Sequence, residues 1–167
     1  MLKGQDVVLL LRLVDKRAPA SVRELADSVG YDIGGTHRSL TRLLEAGLYA
    51  PKRLRVPRAA VEEFLLHGVK YVFPVRRGGE TRGVPTAWAA PPLALEFVSG
   101  SELPPVWPHP LGNTRGLMLE PLHQIVPEAA LRDPDLWERL ALVEALRAGD
   151  ARVRGLAEGH LRERLGS

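Results

Sequence analysis

Proline is the residue that most limits this chain. Most of its 14 prolines fall between Pro51 and Pro127. A proline ring removes an amide donor and clashes with the preceding helical turn, so that stretch is barred from long helices. Helical periodicity is confined to the two flanks, which predicts an α+β fold in three parts: residues 1–68, a proline- and glycine-rich, partly β module over 69–126, and a helical hairpin over 127–167. With 45% hydrophobic residues in 167, apolar surface suffices for a core. Cysteine is absent, which excludes a disulfide framework, a thiolate nucleophile and cysteine-ligated metal. No apolar run approaches the ~20 residues of a membrane span, so no membrane association is expected, and a cytoplasmic location fits the lack of cysteine.

The first part reads as three helices. Residues 5–16 are apolar except at the ends. Ser21-Val22-Arg23-Glu24 is a capping box, with Glu24 expected to reach back to the Ser21 amide, and it starts a second helix with Leu25, Ala26 and Val29 inward and Gly30 as its stop. A third helix from Ile33 to about Gly47 places Thr36, Leu40, Leu43 and Leu44 on one face and His37, Arg38, Thr41 and Arg42 on the other. Leu48–Ala50 and Leu54–Val56 are expected as two short strands around a turn, followed by a helix from Pro57 to Gly68. Net charge is only +3, but Lys52, Arg53, Arg55 and Arg58 follow one another without an acid, whereas residues 127–167 nearly balance.

Through Val22-Arg23-Glu24-Leu25-Ala26-Asp27-Ser28-Val29-Gly30 and Arg38-Ser39-Leu40-Thr41-Arg42-Leu43-Leu44-Glu45-Ala46-Gly47-Leu48, residues 5–66 resemble winged helix-turn-helix transcription regulators of the MarR and IclR type. The resemblance implies a sequence-specific regulator that binds double-stranded DNA as a homodimer. On that reading His37, Arg38, Thr41 and Arg42 contact bases while Lys52, Arg53 and Arg55 contact phosphates. Gly34-Gly35 depart from the pattern, since such regulators usually carry base-touching side chains there.

In the middle module, Val69–Val75 has strand character, Arg76–Glu80 reads as a turn, and Thr81–Thr86 as the returning arm of a hairpin. Gly79-Glu80-Thr81-Arg82-Gly83-Val84 is echoed 33 positions later by Gly112-Asn113-Thr114-Arg115-Gly116-Leu117. Two readings stand: Arg82 and Arg115, joined or not by Arg76 and Arg77, hold an anion or a nucleic-acid phosphate on glycine-flexed loops, or the arginines satisfy carbonyls and carboxylates inside a small β-rich module of two similar turns. Tyr71, Trp88 and Trp107 are expected as core anchors. The five histidines lack metal-ligand spacing, and neither a nucleophile elbow nor a phosphate-binding glycine fingerprint occurs, so neither an enzyme nor a cofactor is expected.

Asp133-Pro134-Asp135 starts a helix carrying Leu136, Leu140, Leu142, Val143 and Leu146, and Asp150 caps another with Val153, Leu156, Ala157, Leu161 and Leu165. These stripes are expected to pack on the middle module, to form a dimer interface, or to dock a partner protein as an antitoxin-like or adaptor chain would.

Overall fold

The computed structural model describes residues 1–97, 100 and 102–166, apart from the side chain of Arg53. The fold is α+β. Helices α1 (Gly4–Leu13), α2 (Val22–Val29) and α3 (Ile33–Glu45) open the chain. A longer rod follows, built from α4 (Arg58–Glu63), a π-helical turn (Phe64–Gly68) and α5 (Val69–Val72). Strands β1 (Arg77–Pro85), β2 (Pro105–Pro108) and β3 (Thr114–Leu119) come next, and α6 (Val126–Arg132), α7 (Pro134–Ala148) and α8 (Ala151–Leu165) complete it.

Local signals explain the helix starts. The Ser21 hydroxyl accepts from the Glu24 amide at 3.1 Å, while the Glu24 carboxylate takes the Ala20 amide at 2.8 Å, one residue before the expected Ser21. Asp133 caps α7 by accepting from the amides of Asp135 and Leu136, and Asp150 caps α8 through the Val153 amide. Gly30 ends α2 in the left-handed region (φ 72°), where a side chain would be strained.

Helix α7 is the spine. It is buried nearly all round from Leu136 to Ala148, and its apolar stripe is therefore covered within the chain itself, against α1, α5, α6 and α8. One hydrophobic core runs from Val7 and Leu11 on α1 through Trp107 on β2 to Leu161 on α8. Polar groups on α7 reach each neighbour in turn. Arg139 donates to the Leu11 carbonyl (2.9 Å) and to Asp15 (3.1 Å). Glu144 accepts from the Trp107 indole (2.8 Å) and from Arg147 (2.6 Å), and Arg147 also donates to the Phe73 carbonyl (2.8 Å). Burial pushes the Glu144 carboxyl above the usual carboxylate range, against the opposing pull of Arg147, the Trp107 indole and Arg77.

The middle module departs from expectation in three ways. Val69–Val72 is helical: Val69 is fully buried, and the rod entering from Leu65 and Leu66 carries its β-branched residues past their strand preference. Arg77–Pro85 is one continuous strand, with the register shift between Arg77 and Glu80 absorbing Gly78-Gly79 as a bulge where a turn was expected. Tyr71 is 77% exposed, so only Trp107 is a fully buried anchor, with Trp88 half-buried. The three strands close on one another, β1 running antiparallel to both β2 and β3 while β2 and β3 are parallel. Closure brings backbones together at Gly83, where a Cβ would collide with the Trp107 carbonyl oxygen, and at Gly116, where it would collide with that of Pro104. No helix among the described residues is long and apolar enough to cross a membrane.

Candidate nucleic-acid interface

Helix α3 is positioned from both ends. Asp32 caps it, its carboxylate accepting from the Gly35 amide at 2.6 Å while its carbonyl accepts from the Thr36 hydroxyl at 2.9 Å. Gly35 is required by packing: a Cβ there would lie 2.6 Å from the Tyr31 ring. That ring stands edge-on to His123 with centroids 5.4 Å apart, tying the α2–α3 turn to the segment after β3. His123 accepts from the Ile125 amide at 3.2 Å, and burial holds its imidazole below the ordinary histidine pKa. Gly34 is different, since a Cβ there would meet only Arg38 Nη1 and Asp32 Oδ1, both at 3.4 Å. The Arg38 guanidinium therefore lies back toward the start of α3.

The four expected base-contacting residues divide. His37, Arg38 and Thr41 are exposed, though the Thr41 hydroxyl donates to the His37 carbonyl at 3.1 Å. Arg42 is a correction. Its Nε and Nη2 donate to the two carboxylate oxygens of Asp6, each at 2.8 Å, and Nη2 also reaches the Ser39 hydroxyl at 3.1 Å. Asp6 is fully buried, so a base contact by Arg42 would strip a buried carboxylate of its cation. The bond to Asp6 holds the Arg42 pKa above its ordinary value. Arg42 thus fastens α3 to α1. Leu44, expected inward, is 47% exposed.

After α3 the chain forms one bridge, with Ala50 and Arg55 exchanging backbone bonds of 2.8 and 3.2 Å around a 3₁₀ turn, Lys52–Leu54. Two full strands do not form. Leu54 turns its side chain into the core with φ 50°, a left-handed conformation that a branched residue adopts at a cost of about 1 kcal/mol. Lys52 and Arg55 are left exposed, without ion pairs among the described residues, whereas the side chain of Arg53 lies outside the described residues. Arg58 is exposed, but its guanidinium is engaged, donating to the carbonyls of Leu165 (2.5 Å) and Val14 (3.3 Å).

The four arginines of the middle module do not converge. Arg77, an exposed residue, donates through Nη2 to the Ala148 carbonyl at the end of α7 (2.7 Å). Arg76 makes a loose pair with Glu120 (3.8 Å). Arg82 and Arg115 face each other across β1 and β3. Among the described residues no cluster of acids and histidines could hold a metal ion.

Sequence reasoning missed the Asp6–Arg42 pair. Its one local trace was a charged Asp6 beside the apolar run Val7–Leu11.

A family model described as HVO_A0114 matches residues 5–57, less than half of the chain, over α1, α2, α3 and the basic turn. No curated protein matches the chain, and no solved structure does.

Proposed function

We propose that this chain is a sequence-specific DNA-binding transcription regulator of winged helix-turn-helix type, similar to MarR and IclR regulators in its first 66 residues. Helices α2 and α3 are the helix-turn-helix, and the turn between Ala50 and Arg55 is the wing. The observation that carries the reading is the exposed polar face of α3, with His37 and Arg38 unpaired among the described residues and the cations Lys52 and Arg55 following directly. A helix can enter a major groove only if one face is solvated and donor-rich while the other is fastened to the domain. The Asp6–Arg42 clamp supplies the fastening. Arg38 is the principal base reader, because its guanidinium lies toward the end of the helix that enters the groove first, and a bidentate guanidinium selects guanine. A homodimer would present two α3 helices to half-sites about 34 Å apart.

The test is selection of duplexes from a random pool, followed by salt titration of the winner and a scrambled control. Arg38→Ala is expected to lose ~1–3 kcal/mol of discrimination at a guanine. Lys52→Ala should weaken all sequences alike and reduce the salt slope by about 0.9. Enrichment of no sequence, or equal losses on every sequence for both variants, would overturn the reading.

A further inference from the structure

The two six-residue echoes are partners in the sheet. Strands β1 and β3 pair antiparallel with Thr81 opposite Gly116, Arg82 opposite Arg115 and Gly83 opposite Thr114. Two copies of Thr-Arg-Gly therefore lie about a local pseudo-dyad, with the two arginines directly opposed at its centre. Both guanidiniums stand on the exposed face, and Gly83 and Gly116 beside them face the closed interior.

Like charges directly opposed across a ladder are unfavourable unless an anion lies between them. The fold supplies one carboxylate for two cations: Glu80 meets Arg115 at 3.1 and 3.2 Å through both its oxygens. Accordingly Arg115 holds the Glu80 carboxyl below its ordinary range. Arg82 has no hydrogen bond or ion pair through its side chain among the described residues. Just before β1, Arg76 is 84% exposed and only loosely tied to Glu120. Arg82 and Arg115 thus stand side by side on the outer face of the closed sheet, without the walls that enclose a small ligand. An unwalled pair of cations suits an extended polyanion that lies across the surface, and a guanidinium fork fits phosphate oxygens two at a time.

We propose that the Arg82–Arg115 pair is a second nucleic-acid contact, binding the phosphodiester backbone without reading sequence, with Glu80 as an internal competitor for Arg115. The site lies outside α3 and the wing and does not depend on their reading bases. If Glu80 is purely structural, neutralising it gives only the small general gain that follows from replacing any exposed acid, such as Glu163 on α8, whereas a competitor for Arg115 gives a larger one.

The experiment uses the full chain, a short labelled duplex of random sequence and fluorescence anisotropy across a salt series. It is run on the natural protein and on an Arg38→Ala, Lys52→Ala background that weakens the α3 and wing contribution. In both, Glu80→Gln should bind several-fold tighter at low salt, and Arg82→Ala should weaken binding and reduce the salt slope by about 0.9. Arg82→Ala with Arg115→Ala should reduce it by about twice that. Thermal melts accompany each variant. A Glu80→Gln protein that melts lower but binds no tighter than a Glu163→Gln control, or an Arg82→Ala protein with an unchanged slope, would overturn the proposal. If these variants shift random-sequence binding while no sequence is preferred, the regulator reading fails and the backbone contact stands. If binding is selective but indifferent to the three sheet variants, the backbone contact fails and the regulator reading stands.

Discussion

Replacing Arg42 by alanine tests how α3 is held. Arg42→Ala removes two bonds of 2.8 Å from the buried Asp6 carboxylate and leaves it only the Lys3 amide, also at 2.8 Å. Removing one partner of a buried ion pair costs about 3–5 kcal/mol, because the remaining charge stays desolvated. The Arg42 side chain is 17% exposed, so water can enter from its side, and the lower end of about 3 kcal/mol applies. For a chain of this size each kcal/mol moves the Tm by roughly 2–4 °C, giving a fall of about 6–12 °C. Urea denaturation read by circular dichroism measures it. A companion variant with Asp6→Leu and Arg42→Met replaces both charges with apolar groups and should recover most of the loss. A loss below about 1 kcal/mol for Arg42→Ala, or a double variant no more stable than the single one, would refute the argument. If the chain is the regulator proposed above, Arg42→Ala should, well below its Tm, keep the sequence preference of the natural chain, because Arg42 is held by Asp6.

Gly34→Ala should raise stability by up to about 1 kcal/mol, since its Cβ finds only ordinary contacts, while Gly35→Ala drives a methyl into the Tyr31 ring and should lower it; parallel melts decide, and the same sign for both would refute the packing account. The imidazole of His123 titrates below 6.5 in the folded chain, so the unfolded chain takes up its proton first as pH falls through 6.5. Stability is therefore full above that pH and drops below it, and His123→Gln should flatten this part of the curve in urea melts between neutral and mildly acid buffer; an unchanged slope counts against it. Trp107→Phe leaves one Glu144 oxygen without its 2.8 Å donor and opens a small void, which should cost about 2–4 kcal/mol by urea denaturation. A cost under about 0.5 kcal/mol would mean that the indole bond contributes nothing to the core.

What the sequence disclosed was what is locally encoded. Caps at Ser21, Asp133 and Asp150 and the spacing of Leu25, Leu40 and Leu140 are decided within a few residues, and they give α2, α3, α7 and α8 close to their true extents. Val69–Val72 misled because consecutive turns of rod, with Leu65 and Leu66 already in the core, outweigh the β preference of a few valines. Gly78-Gly79 misled because a bulge and a turn draw on the same residue type. The echo at Thr81 and Thr114 was visible, but that its copies face each other depends on register, which no local signal sets. At the candidate interface, exposure of His37, Arg38 and Thr41 followed from helical spacing. Arg42 sits on the same polar arc and was diverted by Asp6, 36 residues earlier, a pairing only the packing of α1 on α3 creates.

The central place of α7 has a consequence for how the chain comes off the ribosome. Leu9, Leu10 and Leu11 are fully buried, yet the Arg139 that grips the Leu11 carbonyl lies 128 positions later. While the first three helices emerge, the surface that will receive α7 stands open to solvent and to other nascent chains, and most of the sequence must be synthesised before it can close. Apolar surface left open in this way is a risk for aggregation until α7 arrives. A fragment cut after residue 68 would carry the whole candidate α3 interface and still lack the helix that completes its core, so in engineering, α3 and the spine travel together.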